Sequence, residues 1–197
     1  MTTPTFRSGA TIVEPISAAL AGDLDHLLAD LPRNRFDVPP TVTALRRDAR
    51  TAVGSFLGFL VTVATNVDVC VTITQVDHDL EPGEVKSSLR LDLPHQAPDR
   101  APSVVTLFAA RVGALVDLAA DLAVALHVPY EAVVLDADLP GSTVRAGVTG
   151  LREFDVVQQA IGVLVAQGRT VRDARYDLAH RGAPYEAALR VLDDVRG

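Results

Sequence analysis

The sequence has no tryptophan, one cysteine, one methionine and a single lysine (Lys86) among 197 residues. Each scarcity excludes something. The lone Cys70 can neither close an internal disulfide nor supply a cysteine-rich zinc site. Aromatic residues make up only 5% of the chain, which argues against an RNA-binding sheet studded with stacking rings. Long hydrophobic runs are missing too. The N-terminal stretch holds no apolar segment of signal-peptide length. The most apolar helical stretch, residues 112–126, carries Asp117 and Asp121 and is too short to cross a bilayer. A cytoplasmic chain with no membrane partner is the expectation.

Catalytic signatures are equally scarce. There is no GxxxxGK[ST] and no GxGxxG, so no phosphate cradle is encoded. The run Gly54-Ser55-Phe56-Leu57-Gly58 sets its serine one position away from a nucleophile elbow. The five histidines, at 26, 78, 95, 127 and 180, form no HExxH or HxH pair. Asp77-His78-Asp79 follows a strand, where alternation sends the two carboxylates away from the imidazole. A solvated strand end is the simpler reading, and no metal site or cofactor is expected. Cys70 reads as a small buried filler. None of these residues assembles an enzyme.

What is present is an ordinary globular composition, 48% apolar and 22% charged, with a net charge of −7. That charge is uneven. Residues 1–144 hold 10 basic against 18 acidic side chains, while residues 145–197 hold 8 against 7. The acidic part is a poor nucleic-acid surface. Abundant Ala, Val and Asp with seventeen Arg to one Lys are also the usage of a GC-rich genome.

Periodicity then divides the chain. Ile16, Leu20, Leu24, Leu27, Leu28 and Leu31 recur at helical steps over residues 14–31, and Val42, Leu45, Ala49 and Val53 over 41–53. Strand patterns follow at 56–65, 67–76, 86–93 and 103–109, with a tight turn at Thr65-Asn66. Four strands in succession suggest an antiparallel meander. Residues 111–127 form a helix whose Val112, Leu115, Val116, Leu118, Leu122, Val124 and Leu126 cover too much circumference for one sheet. A second copy of the chain would bury the remainder, so a homodimer is expected. A short strand is expected at 133–135. Residues 138–150 have the composition of a linker.

The remainder is helical. Leu151, Phe154, Val157, Ile161 and Leu164 stripe one helix, closed by Gly168. Thr170 and Asp173 make a capping box for a second, and Pro184 opens a third. The arrangement expected is an α/β domain over residues 14–140 and a three-helix domain over 150–197. One compact α+β domain is the competing arrangement. Arg169, Arg172 and Arg175 recur every third residue, with Arg181 beyond them. Arginine forks suit phosphate and stem-loop recognition; a solvated helix face explains the same residues.

The stretch VVQQAIGVLVAQGRTVRDARYDLAHRGA resembles the ANTAR domain, the three-helix module of bacterial transcription antiterminators. The matching positions are Val157, Ala160, Gly162, Leu164, Ala174 and Leu178. Upstream, SSLRLDL followed by SVVTLFAARVGALVDLAADLAVAL is similar to the closing strands and helix of a GAF-type sensor domain, as in actinobacterial GAF–ANTAR proteins. The resemblance implies a GAF-like antiparallel sheet with flanking helices, followed by an all-α ANTAR-like unit. It implies binding to RNA hairpins in nascent transcripts, through Arg169, Arg172, Arg175 and Arg181. Ala160, Gly162 and Ala174 would allow the helices close approach. The GAF-like part is short between Val76 and Lys86, so no small-molecule ligand is expected. A non-enzymatic dimerisation or protein-interaction module without RNA binding is the alternative.

Overall fold

The computed structural model of the chain describes residues 16–30, 38–64, 69–93 and 103–196. The Thr65-Asn66 turn and the proline-rich loop 94–102 lie outside those residues. Two helices open the described chain, α1 (Ile16–Asp30) and α2 (Val38–Ala52). Four strands follow: β1 (Phe56–Ala64), β2 (Cys70–Val76), β3 (Ser87–Leu93) and β4 (Ser103–Ala109). After α3 (Val116–Ala125) come two short strands, β5 (Val133–Leu135) and β6 (Gly147–Thr149). The chain ends in α4 (Leu151–Ala166), α5 (Val171–His180) and α6 (Pro184–Arg196).

All six strands join one open sheet in the order β5-β3-β4-β1-β2-β6, and every neighbouring pair is antiparallel. The strands form where β-branched and aromatic residues concentrate, because such side chains fit a pleated, half-buried surface. Alternation sorts them into faces. Phe59, Val61 and Val63 of β1 and Val105 and Leu107 of β4 point to one side. There they meet Leu20 and Leu24 of α1, Leu45 and Ala49 of α2, and Leu118 and Leu122 of α3. This is the main core.

The sheet is not the consecutive meander that the strand spacing suggests. β1 lies between β2 and β4, so the chain must leave β2 and re-enter beyond β4. Apolar residues inside an apparent loop explain the detour. Leu80 and Val85 are buried with Val76 and Phe108 on the second face of the sheet, drawing residues 77–86 across it. Two backbone hydrogen bonds pin the crossing, from Leu80 N–H to the Val144 carbonyl and from Val144 N–H back to Leu80, each 2.9 Å.

That pairing also corrects the linker reading. Residues 138–150 are held to the sheet: Val144 bridges Leu80, and β6 pairs with β2 from Thr72 opposite Thr149 to Thr74 opposite Gly147. Asp136 anchors the start of this segment. Its carboxylate accepts from the Ser87 hydroxyl and the Ser88 N–H, both at 2.9 Å. The second face of the sheet therefore carries a groove of about 450 Å³, floored by Leu60, Thr62, Thr106 and Phe108 and edged by Pro140 and Ser142. Sequence between Val76 and Lys86 was too short to build that edge, and a later segment supplies it.

The three-helix unit shares side chains with the sheet. Val69 and Val71, at the start of β2, are buried with Phe154, Val157, Ala160, Leu164, Ala174, Leu178 and Ala188. Val69 and Val71 share with Ile73 the face of the sheet that α1 and α2 cover. Cys70, between them, is turned the other way and is exposed rather than the buried filler its apolar neighbours suggested.

Gly150 fixes the docking. It occupies the N-cap of α4 with φ +83°, and a Cβ there would collide with the Cys70 carbonyl oxygen. Gly162 has no such role. A Cβ at that position meets nothing within 4 Å, and the residue is exposed. Two helical steps from buried Ala160 rotate it about 200° away, to solvent. The close approach expected of Ala160, Gly162 and Ala174 is thus provided by the two alanines alone, both fully buried.

Gly150→Ala should cost roughly 1–3 kcal/mol, through a strained backbone and a displaced α4. Gly162→Ala should instead stabilise by about 0.5–1 kcal/mol, by removing glycine from an open helical position. Thermal unfolding of both variants checks the two signs.

Candidate nucleic-acid interface

The arginines predicted to read RNA lie on α5 and at its two ends, placed there by local sequence rules. Gly168, φ +95°, reverses the chain after α4, and the Gly168 and Arg169 N–H groups bond back to the Val165 and Leu164 carbonyls. Thr170 then caps α5: its Oγ1 accepts from the Asp173 N–H at 3.1 Å and donates to the Asp173 carboxylate at 2.7 Å. The N-cap read from the sequence is formed, but the Asp173 carboxylate takes the Thr170 hydroxyl where a full capping box would take the Thr170 N–H. Ala174 and Leu178 face the bundle core and orient the rest of α5.

The four arginines fare differently. Arg172 is exposed and makes no ion pair among the described residues. Arg175 is half-buried, so the three-residue spacing does not leave it as open as Arg172. A step of three residues turns a helix back by about 60°, so Arg175 lies at the edge of the stripe defined by Ala174 and Leu178. Its stem covers that apolar edge, and its Nε is buried there.

Arg169 and Arg181 converge on one carboxylate. Asp177 accepts from Arg169 in a close ion pair, and Arg181 stands 3.7 Å from the same oxygen. Arg169 reaches it from the α4–α5 turn, and Arg181 from one helical turn later. The sequence showed a row of cations; the structure closes two of them around Asp177. Such pairs near the surface add little stability, about 0–1 kcal/mol each. Their larger consequence is that they lower the local positive potential.

Two residues outside the predicted set stand on the same helix face as Arg172. Tyr176 is 62% exposed, and its ring stacks on that of His180 with centroids 3.7 Å apart and planes 25° apart. The His180 Nδ1–H donates to the Tyr176 carbonyl at 2.8 Å, which fixes the imidazole. Their sequence signal is the four-residue step from Arg172 to Tyr176 to His180. The low aromatic content of the chain, 5%, masks it.

The other acidic and histidine clusters are dispersed by their partners. Asp77 accepts from Arg46 and Arg50 of α2, Asp79 from Arg145 at 3.0 Å, and His78 stands 3.5 Å from Glu84. The Glu84 carboxylate also accepts from the Glu81 N–H, which holds its pKa below the ordinary value. No group of three or more metal-ligating side chains occurs among the described residues. No helix among them is long and apolar enough to cross a membrane.

Comparison with protein-family models, with curated proteins and with solved structures gives no match.

Asp177→Asn should leave the melting temperature within a few degrees, because only surface-type pairs are lost. It should release Arg169 and Arg181 together, so binding to a polyanion such as heparin should tighten and elute at higher salt. Heparin chromatography of the two proteins side by side measures the change.

Proposed function

We propose that the chain is a non-enzymatic, cytoplasmic RNA-binding regulator of the GAF–ANTAR type, acting on hairpins in nascent transcripts to oppose termination. The observation that carries the reading is the cluster of four arginines around α5, on a chain whose net charge is −7. Four guanidinium groups against Asp173 and Asp177 leave a local positive excess, where the rest of the molecule would repel a polyanion. Arg172 supplies the open phosphate contact in this reading. Arg175, Arg169 and Arg181 set the surrounding potential. The ANTAR-like positions Val157, Ala160, Leu164, Ala174 and Leu178 form the core that holds α5 outward.

The alternative is an interaction module that no longer binds RNA. The ion pairs of Asp177 with Arg169 and Arg181 favour it, because they engage half of the predicted cations with a carboxylate of the chain itself. The two readings part in one titration. Under the RNA reading, a hairpin RNA binds more tightly than duplex DNA of equal charge. Arg172→Ala then weakens every hairpin alike and lowers the salt slope by up to about one. Equal, weak binding of both nucleic acids by the native protein at near-physiological salt overturns the RNA reading.

Self-association belongs to both readings. Leu115, Leu118, Ala119 and Leu122 are buried on the sheet side of α3, while Val112 and Val124 are 80% and 76% exposed and Val116 is half exposed. The helix expected over 111–127 spans only Val116–Ala125, because Gly113 with φ +71° turns the chain before it, so Val116, Ala120 and Val124 line one outward stripe at four-residue steps and Val112 stands on the turn ahead of them. A second copy is the partner proposed for that stripe. Light scattering at micromolar concentration should give about twice the 20.9 kDa chain mass. Val116→Asp should return the protein to a single-chain mass without unfolding it, because the position faces outward.

A further inference from the structure

We propose that Arg172, Tyr176 and His180 form a stacking slot for one unpaired RNA base; this rests on the RNA reading above and adds what that reading leaves open, namely which part of the RNA is gripped and by which residues. The three side chains occupy positions i, i+4 and i+8 of α5, and therefore share one outward face. Tyr176 and His180 already lie ring on ring, 3.7 Å apart, and the hydrogen bond from His180 Nδ1 to the Tyr176 carbonyl locks the pair. One face of the tyrosine is thus covered from the C-terminal side. The tyrosine is mainly exposed, and Arg172, also exposed, stands one helical turn earlier on the same face.

The step from Arg172 to Tyr176 rises about 6 Å along the axis. A side chain as long as arginine can span that step and lay its guanidinium over a planar group held on the phenol ring. Pre-fixed rings matter here. A tyrosine that already has its partner loses little side-chain freedom when a base is added, so more of the stacking energy remains as affinity.

Charge selects the occupant. Arg172, together with the arginines at 169, 175 and 181, disfavours a cationic ligand on the tyrosine face, which excludes the usual cation–π guests. An acidic peptide would satisfy the charge but offers no flat surface to stack. An unpaired nucleobase offers both a π-face and a neighbouring phosphate, and bases splayed from loops are what aromatic and guanidinium planes take up in RNA. A base inside a duplex is already stacked and cannot enter. The slot therefore demands a loop, bulge or single-stranded end, whereas the arginines alone would accept any phosphate backbone.

The test uses the full chain and a hairpin RNA carrying 2-aminopurine either in its loop or in its stem. The native protein should quench the loop probe and leave the stem probe unchanged. Tyr176→Ala should abolish the quench and weaken hairpin binding roughly 5- to 150-fold, the range measured for losing one base stack. Tyr176→Phe, which keeps the ring, should retain both. Melting curves of the two variants should superimpose on the native one, since the side chain is mainly exposed. If the native protein prefers the hairpin to duplex DNA but Tyr176→Ala binds and quenches as before, the slot is refuted while RNA binding stands. Absence of any loop quench in the bound native complex refutes it equally. If hairpin and duplex DNA bind with the same weak affinity, both the slot and the RNA reading fall.

Discussion

The Cys70 carbonyl lies where any side chain at position 150 would have to go. That single close approach governs how the two halves of the chain meet. It lets β6 pair with β2 through three residues and lets α4 begin one residue later. Phe154 and Val157, one and two turns into α4, then fall onto Val69 and Val71. The three-helix unit is consequently seated on the sheet, and α5 is carried to a defined place with its core face inward and Arg172, Tyr176 and His180 outward. A flexible tether of the kind suggested by residues 138–150 would have left that orientation open.

The sheet imposes a complementary constraint. A strand order with β1 at the centre puts β2 near one edge and makes that edge available for β6. Had the strands followed one another as a meander, β4 would have been next to β3 alone, and residues 77–86 would have had no face to cross. Leu80 and Val85 decide the matter, because burying them on Phe108 requires the chain to travel over the sheet before β3 begins. The same crossing gives Val144 its backbone partner. The route of an early loop therefore determines where a later one is held.

Much of this was legible in the sequence, and the legible parts share a cause. Local patterns reported local structure: the alternation of Val69, Val71 and Ile73, the stripe of Phe154, Val157 and Leu164, the Thr170–Asp173 cap and the glycine at 168 all recur in the structure. What could not be read were relations between distant positions. Strand order depends on Leu80 meeting Phe108, and the exposure of Arg175 depends on which side of α5 holds Ala174. The neutralisation of Arg169 depends on a carboxylate eight residues away. Periodicity also misled where it was applied to one residue alone. Gly162 fits the family spacing, yet its own helical phase turns it to solvent, and Cys70 has apolar neighbours because strand neighbours point the opposite way.

The same distinction explains why the candidate site changes character between sequence and structure. A row of arginines describes charge, and charge can be cancelled by a single aspartate placed between two of them. A stacked ring pair describes shape, which a nearby carboxylate does not cancel. Asp177 accordingly trims the unspecific part of the surface and leaves the planar part intact. If phosphate attraction alone were the purpose, an acid between Arg169 and Arg181 would be a defect. On a surface meant to favour unpaired bases over backbone, it is an expected feature, because lowering the general attraction raises the share of affinity that comes from the slot.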